Sequence, residues 1–189
     1  MTSTEPAGSD PAPRPKRRTF SSECKLRIVA EYDAAPGEGI RVRRAAARDA
    51  KRLTRLVRAS RAYQGPYAPM VAGYRVGPDY IETHRVFAAV EEGTGRLLGF
   101  YSLVLDPPEL DLMFVADDAQ GSGIGRLLVG HLLDEARDAG LTGVRIVSHP
   151  PAEGFYRSVG AVRTGTERAA PPAVMWDRPE LLLPVLPVG

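Results

Sequence analysis

Apolar residues recur with two periods along this chain, and each change of period marks a new element. Ile40 and Val42 alternate with arginines, which predicts a short strand. Asp49 then caps a helix whose Ala50, Leu53, Leu56 and Val57 fall on one face. Residues 63–80 are loop-like, with Tyr63, Tyr67, Tyr74 and Tyr80 set among Gly and Pro. Arg85 to Glu92 and Leu97 to Leu105 read as a hairpin about Gly93-Thr94-Gly95. Pro107-Pro108 interrupts, and Glu109 to Val115 follows as a strand. A glycine-rich loop then opens an amphipathic helix, Ile124 to Ala139. Val144 to Ser148 predicts a strand and Ala152 to Val159 a short helix. Ala161 to Glu167 and Ala173 to Trp176 are two weak strands. Hairpins first and strand–helix–strand afterwards indicate a mixed α/β layer fold.

The first forty residues have another texture. Residues 1–18 lack periodicity and are expected to be disordered. Ser21 or Ser22 caps a lone helix carrying Leu26, Val29 and Ala30, which Ala34-Ala35-Pro36-Gly37 ends. The expected division is a 1–39 extension, a 40–178 domain and a 179–189 tail. With 189 residues, 43% of them hydrophobic and 25% charged, a fully disordered chain is excluded. No apolar run approaches the roughly 20 residues of a membrane helix. The first thirty residues have no apolar signal core, and Cys24 alone cannot form an internal disulfide, so a cytoplasmic location is expected.

Charge is unevenly spread. Residues 41–61 hold nine basic side chains against Asp49 alone, a net of +8, whereas residues 62–189 hold ten basic and sixteen acidic, a net of −6. No aromatic interleaves the arginines before Tyr63, so the +8 segment is expected to be a solvated helix face, with no nucleic-acid partner.

The chemistry concentrates in Gln120-Gly121-Ser122-Gly123-Ile124-Gly125-Arg126. Glycine admits close backbone approach and positive φ, and successive N–H groups at a helix start attract an anion. A phosphate or pyrophosphate ligand is implied. The loop lacks the Lys-Ser/Thr of a P-loop, and its third glycine falls one place early for a dinucleotide fingerprint.

This loop resembles the Arg/Gln-x-x-Gly-x-Gly/Ala signature of the Gcn5-related N-acetyltransferases, and the elements from Ile40 to Trp176 follow that fold's order. The resemblance implies the acyl-CoA N-acyltransferase fold, a mixed central sheet with splayed strands flanked by helices. It implies acetyl-CoA as co-substrate, with the pyrophosphate on Gln120, Gly121, Ser122, Gly123, Ile124, Gly125 and Arg126 and the pantetheine arm along Phe114 and Val115. A second stretch, Pro151-Ala152-Glu153-Gly154-Phe155-Tyr156, resembles the family's Asn-Ala-x-x-Phe-Tyr segment. Tyr156 falls on the tyrosine that commonly protonates the departing thiolate, while Phe155 is expected in the core. Pro151 stands where the family usually has Asn, so a side-chain contact to pantetheine is missing.

Acetylating an amine requires removal of a proton, for which a carboxylate serves. Glu109, eleven residues before Gln120, lies where many family members place a catalytic glutamate, and Asp111 is the other candidate. Strict alternation puts Glu109, Asp111, Met113 and Val115 on one face and Leu110, Leu112 and Phe114 on the other. His131 is expected to pack within its helix, His84 to lie at the surface, and His149 to be a possible substrate contact. No cluster has metal-ligand spacing. The expected activity is direct acetyl transfer from acetyl-CoA to a primary amine of a small molecule or peptide, in a bacterial-type enzyme, with a homodimer possible and no membrane partner. Two rivals stand beside it. Residues 17–38 resemble the opening of an insertion-sequence transposase helix-turn-helix, which suggests a DNA-binding protein, and a non-catalytic acyl-CoA sensor would use the same loop.

Overall fold

Residues 86–90 and 98–103, in the middle of the sheet, are buried on both faces, because helices cover the sheet from both sides. The computed structural model describes residues 39–187, all within the unit Ala35–Gly189. The expected N-terminal helix and the transposase-like residues 17–38 lie outside the described residues. Among the described residues the order is β1 (Ile40–Arg44), α1 (Ala50–Ala59), α2 (Ala68–Ala72), α3 (Pro78–Thr83), β2 (Arg85–Glu91), β3 (Leu97–Leu105), β4 (Pro108–Val115), α4 (Ile124–Asp138), β5 (Gly143–Val147), α5 (Glu153–Ser158), β6 (Val162–Glu167) and β7 (Arg178–Pro184). The seven strands form one mixed sheet in the order β1-β2-β3-β4-β5-β7-β6.

One core lies under α4, where Tyr101, Leu103, Leu128, Leu132, Ile146 and Leu181 are buried together. The other lies under α1, α2 and α3, where Leu53, Val57, Ile81, Val86, Phe100 and Phe114 meet. Such burial is the main stabilising term, at roughly 25 cal/mol per Å² of apolar surface. Gly99 lets α4 settle closely. A Cβ there would lie 2.8 Å from the Phe114 carbonyl oxygen, 3.1 Å from Leu128 Cδ1 and 3.3 Å from Ile124 Cγ2.

Two joints shape the site. β4 and β5 are parallel neighbours paired only at Glu109↔Arg145, so beyond that point the strands part. Between Ser102↔Leu112 and Leu103↔Leu110 the register of β4 shifts, leaving Asp111 without a partner. This bulge breaks the strict alternation expected from sequence. Leu110 and Met113 pack with the α4 core, while Leu112 and Phe114 join the core under α1.

Three segments differ from expectation. Residues 63–80 contain α2, the first half of α3 and single 3₁₀ turns rather than an open loop. Ala173–Trp176 is not a strand; Val174 makes only an isolated bridge to Ala170. The missing strand is β7, which runs from the last residue of the expected domain into the expected tail and is inserted between β5 and β6. Its Leu181 and Leu183 are buried and Leu182 is 42% exposed, an alternation concealed by three identical side chains.

Candidate functional site

Where β4 and β5 part, a cavity of about 570 Å³ opens. One side is backbone and glycine. Phe114 and Val115 bring the chain to the mouth, the Gln120–Arg126 loop turns it, and α4 starts with its N-terminus toward the space. Gly121 and Gly123 have φ of +78° and +87°, a left-handed conformation that other residues adopt only with strain. Gly123 is the N-cap of α4, and no side chain caps the helix. The first N–H groups of a helix lack intrahelical partners and, with the dipole, favour an anion. Ser122 Oγ ties the turn to Ala119 O at 2.6 Å, and Gln120 Nε2 donates to Asp117 Oδ1 at 3.2 Å. Gly125 makes room for an aromatic ring, since a Cβ would stand 3.0 Å from Phe155 Cζ. Arg126 Nη2 donates to Ser158 Oγ at 3.3 Å, joining α4 to α5.

The other side is made of side chains. Tyr156 lies buried on α5 among the lining residues, and burial pushes its phenol well above the ordinary value, so it stays protonated across the physiological range. His149 follows β5, with Nε2 2.8 Å from Ala62 O and its ring stacked on Tyr63 at 4.4 Å. That bond assigns the proton to Nε2, and burial lowers the His149 pKa, which keeps the ring neutral. Tyr67 meets His149 and Trp176 edge-on at 4.4 and 4.5 Å, backing this wall from behind.

The two candidate carboxylates part company. Glu109 accepts from Arg145 Nη1 at 2.8 Å and is absent from the cavity lining. The same guanidinium holds Glu180 at 2.6 Å and Glu167 at 3.0 Å, knitting β4, β5, β6 and β7. Asp111, displaced by the bulge, lines the cavity. Tyr80 gives its hydroxyl proton to Asp111, which leaves Ser102 as donor in the 2.8 Å Tyr80–Ser102 contact. Ser102 is fully buried, and burial with the adjacent carboxylate pushes the Tyr80 phenol strongly upward. Tyr74 is pushed up to about 12, first by burial and then by the charge of Asp111. The Tyr80–Ser102 support was not foreseen, and only the density of tyrosines in residues 63–80 hinted at it. His131 is bonded to Tyr101 Oη at 2.8 Å within the α4 core, and His84 stacks edge-on with Tyr80 at 4.6 Å.

Residues 45–161 match a family model described as "Acetyltransferase (GNAT) family". Over 119 residues the chain is 34% identical to a mycothiol acetyltransferase from Tsukamurella paurometabola, covering 54% of this chain. It spans 41% of that relative's length. Among solved structures, it resembles a GCN5-related N-acetyltransferase from Rhodopseudomonas palustris (TM-score 0.68, 16% identity, 78% of this chain and 96% of that one). It also resembles yncA from Salmonella typhimurium, solved with its cofactor acetyl-CoA (TM-score 0.60, 19% identity, 80% and 97%). At such identities these structures speak for the fold. No helix among the described residues is long and apolar enough to cross a membrane.

Proposed function

The chain belongs to the GNAT family of acetyltransferases, and from that premise we propose that it moves the acetyl group of acetyl-CoA directly to a primary amine of a small molecule or peptide. The carrying observation is the pairing, in one cavity, of a glycine-turned helix N-terminus with a carboxylate and a protonated phenol. The pyrophosphate sits against the N–H groups from Gly121 to Arg126. The pantetheine arm pairs with the β4 backbone beyond Glu109, whose polar groups there lack a β5 partner. The thioester then lies between β4 and α5.

An alkyl ammonium, with pKa near 10, must shed a proton before it can attack. Asp111 accepts that proton, held in position by Tyr80 and Ser102. Glu109 serves instead as an ion-pair anchor, because Arg145 occupies it. The amine nitrogen attacks the thioester carbon, the C–S bond breaks, and Tyr156 gives its proton to the sulfur. Holding both reactants in one cleft supplies much of the rate. Tyr63 and His149, with Tyr67 and Trp176 behind them, line the approach of the acceptor. The test is release of free thiol from acetyl-CoA across a panel of amines and N-terminal peptides. Thiol release that depends on an amine supports the reading; tight acetyl-CoA binding with no turnover on any acceptor would instead indicate a sensor.

A further inference from the structure

The nine cations of residues 41–61 meet different fates in the fold. Arg43 is paired with Asp49 at 2.8 Å, Arg52 reaches the same carboxylate at 3.8 Å, and Arg61 pairs with Asp117 at 3.2 Å. Arg44 donates to His84 O and lies over the Phe87 ring. Arg48, Lys51, Arg55 and Arg58 have no carboxylate within 4.0 Å among the described residues. These four are spaced by three, four and three residues along α1 and the turn before it, which puts them on one face, away from buried Leu53 and Val57. Arg75, from the turn between α2 and α3, completes a groove of about 1,020 Å³. The lining of that groove includes these five cations and neither an acidic nor an aromatic side chain. Like charges three or four apart weaken a helix by some tenths of a kcal/mol per pair. Six arginines elsewhere, Arg85, Arg96, Arg137, Arg145, Arg163 and Arg168, hold carboxylates. Among the described residues none does so for Arg48, Lys51, Arg55 or Arg58.

We propose that this groove binds the phosphate backbone of double-stranded nucleic acid without reading its sequence. The stripe from residue 48 to 58 runs about 15 Å at 1.5 Å per residue, enough for two or three phosphates of one strand. Arginine predominates, and its planar fork suits phosphate oxygens. Single-strand binders stack bases on aromatic rings, and this groove offers none, which leaves the backbone of a duplex as the surface it fits. The sequence alone suggests a solvated face, and the fold adds that these four cations have no carboxylate partner among the described residues. The inference is independent of acetyl transfer, since none of these cations lines the cavity between β4 and β5.

The test is fluorescence anisotropy of the full chain with a labelled duplex of about 20 base pairs, between 50 and 200 mM salt, alongside Lys51→Glu/Arg55→Glu and Arg55→Gln. Binding should weaken with salt at a log–log slope of about −3 to −4, near −0.9 for each neutralised phosphate. The double variant should bind at least about tenfold more weakly and Arg55→Gln should lose about one unit of slope, while acetyl-CoA turnover is unchanged in both. Three results overturn the proposal: no binding at 50 mM salt, wild-type affinity in both variants, or displacement of the duplex by poly-glutamate at equal charge. The last would make the partner an acidic polypeptide.

Discussion

The two sides of the cavity are built by different means. The side facing the glycine loop is made of contiguous backbone: the end of β4, two glycines with positive φ and the first turn of α4. The opposite side is assembled from single side chains on separate elements: Asp111 on β4, backed by Tyr80 and Ser102, with Tyr63 before α2, His149 after β5 and Tyr156 on α5. In the function proposed above, the backbone side takes the shared co-substrate. A side-chain site can change residue by residue without disturbing the sheet, and the proposal places acceptor choice there.

The sharpest way to break this comparison is to exchange the two carboxylates. Asp111→Asn should lower turnover by about 10²–10⁴-fold at neutral pH, the usual worth of a positioned base, with partial recovery at high pH as more amine arrives neutral. Glu109→Gln should leave turnover nearly intact and lower thermal stability, because it loosens Arg145. The reverse pattern would return the proton to Glu109. Next in size is Gly99→Ala, which adds a methyl under α4. Denaturant unfolding should report a loss of about 1–3 kcal/mol, together with weaker acetyl-CoA binding if α4 shifts from its seat.

The next effect belongs to the start of α1. Arg43 holds the Asp49 carboxyl at about 2, below its usual 3.8, with a further bond from Ala46 N–H. A depressed folded pKa stabilises above the ordinary carboxylate range and is lost as pH falls from about 4 through 2. Asp49→Asn should therefore cost about 2 kcal/mol at neutral pH, at 1.36 kcal/mol per unit, and the two proteins should converge near pH 2. Because neither Arg43 nor Asp49 lines the cavity between β4 and β5, acetyl-CoA affinity should survive the change. Smallest is Tyr67→Ala, which removes the ring behind His149 and Trp176. It should raise the KM for the amine several-fold without altering the KM for acetyl-CoA.

This division also explains what could be read from the chain alone. The glycine loop was legible because its residues are adjacent and positive φ calls for glycine. β3 was legible as a long apolar run bounded by turn residues, and α4 by its helical period. The bulge at Asp111 was not, since a one-residue register shift depends on the partner strand rather than on local pattern. β7 was hidden because Leu181, Leu182 and Leu183 show no alternation and Pro184 suggested an end. The short helices α2 and α3 are too brief to stand alone and form by burying Val71 and Ile81 in the core.

The central claim, that the glycine loop and the α4 N-terminus hold the pyrophosphate of acetyl-CoA, is tested most directly by calorimetric titration of acetyl-CoA into the wild type, Gly123→Asn and Gly123→Asp. Asn and Asp tolerate the left-handed conformation better than most residues, so both variants should fold, and they differ by one charge aimed at the ligand. Gly123→Asp should bind at least about tenfold more weakly, or roughly 1.4 kcal/mol, with Gly123→Asn between it and the wild type. Equal dissociation constants in three folded proteins would remove the loop from the site and contradict the account.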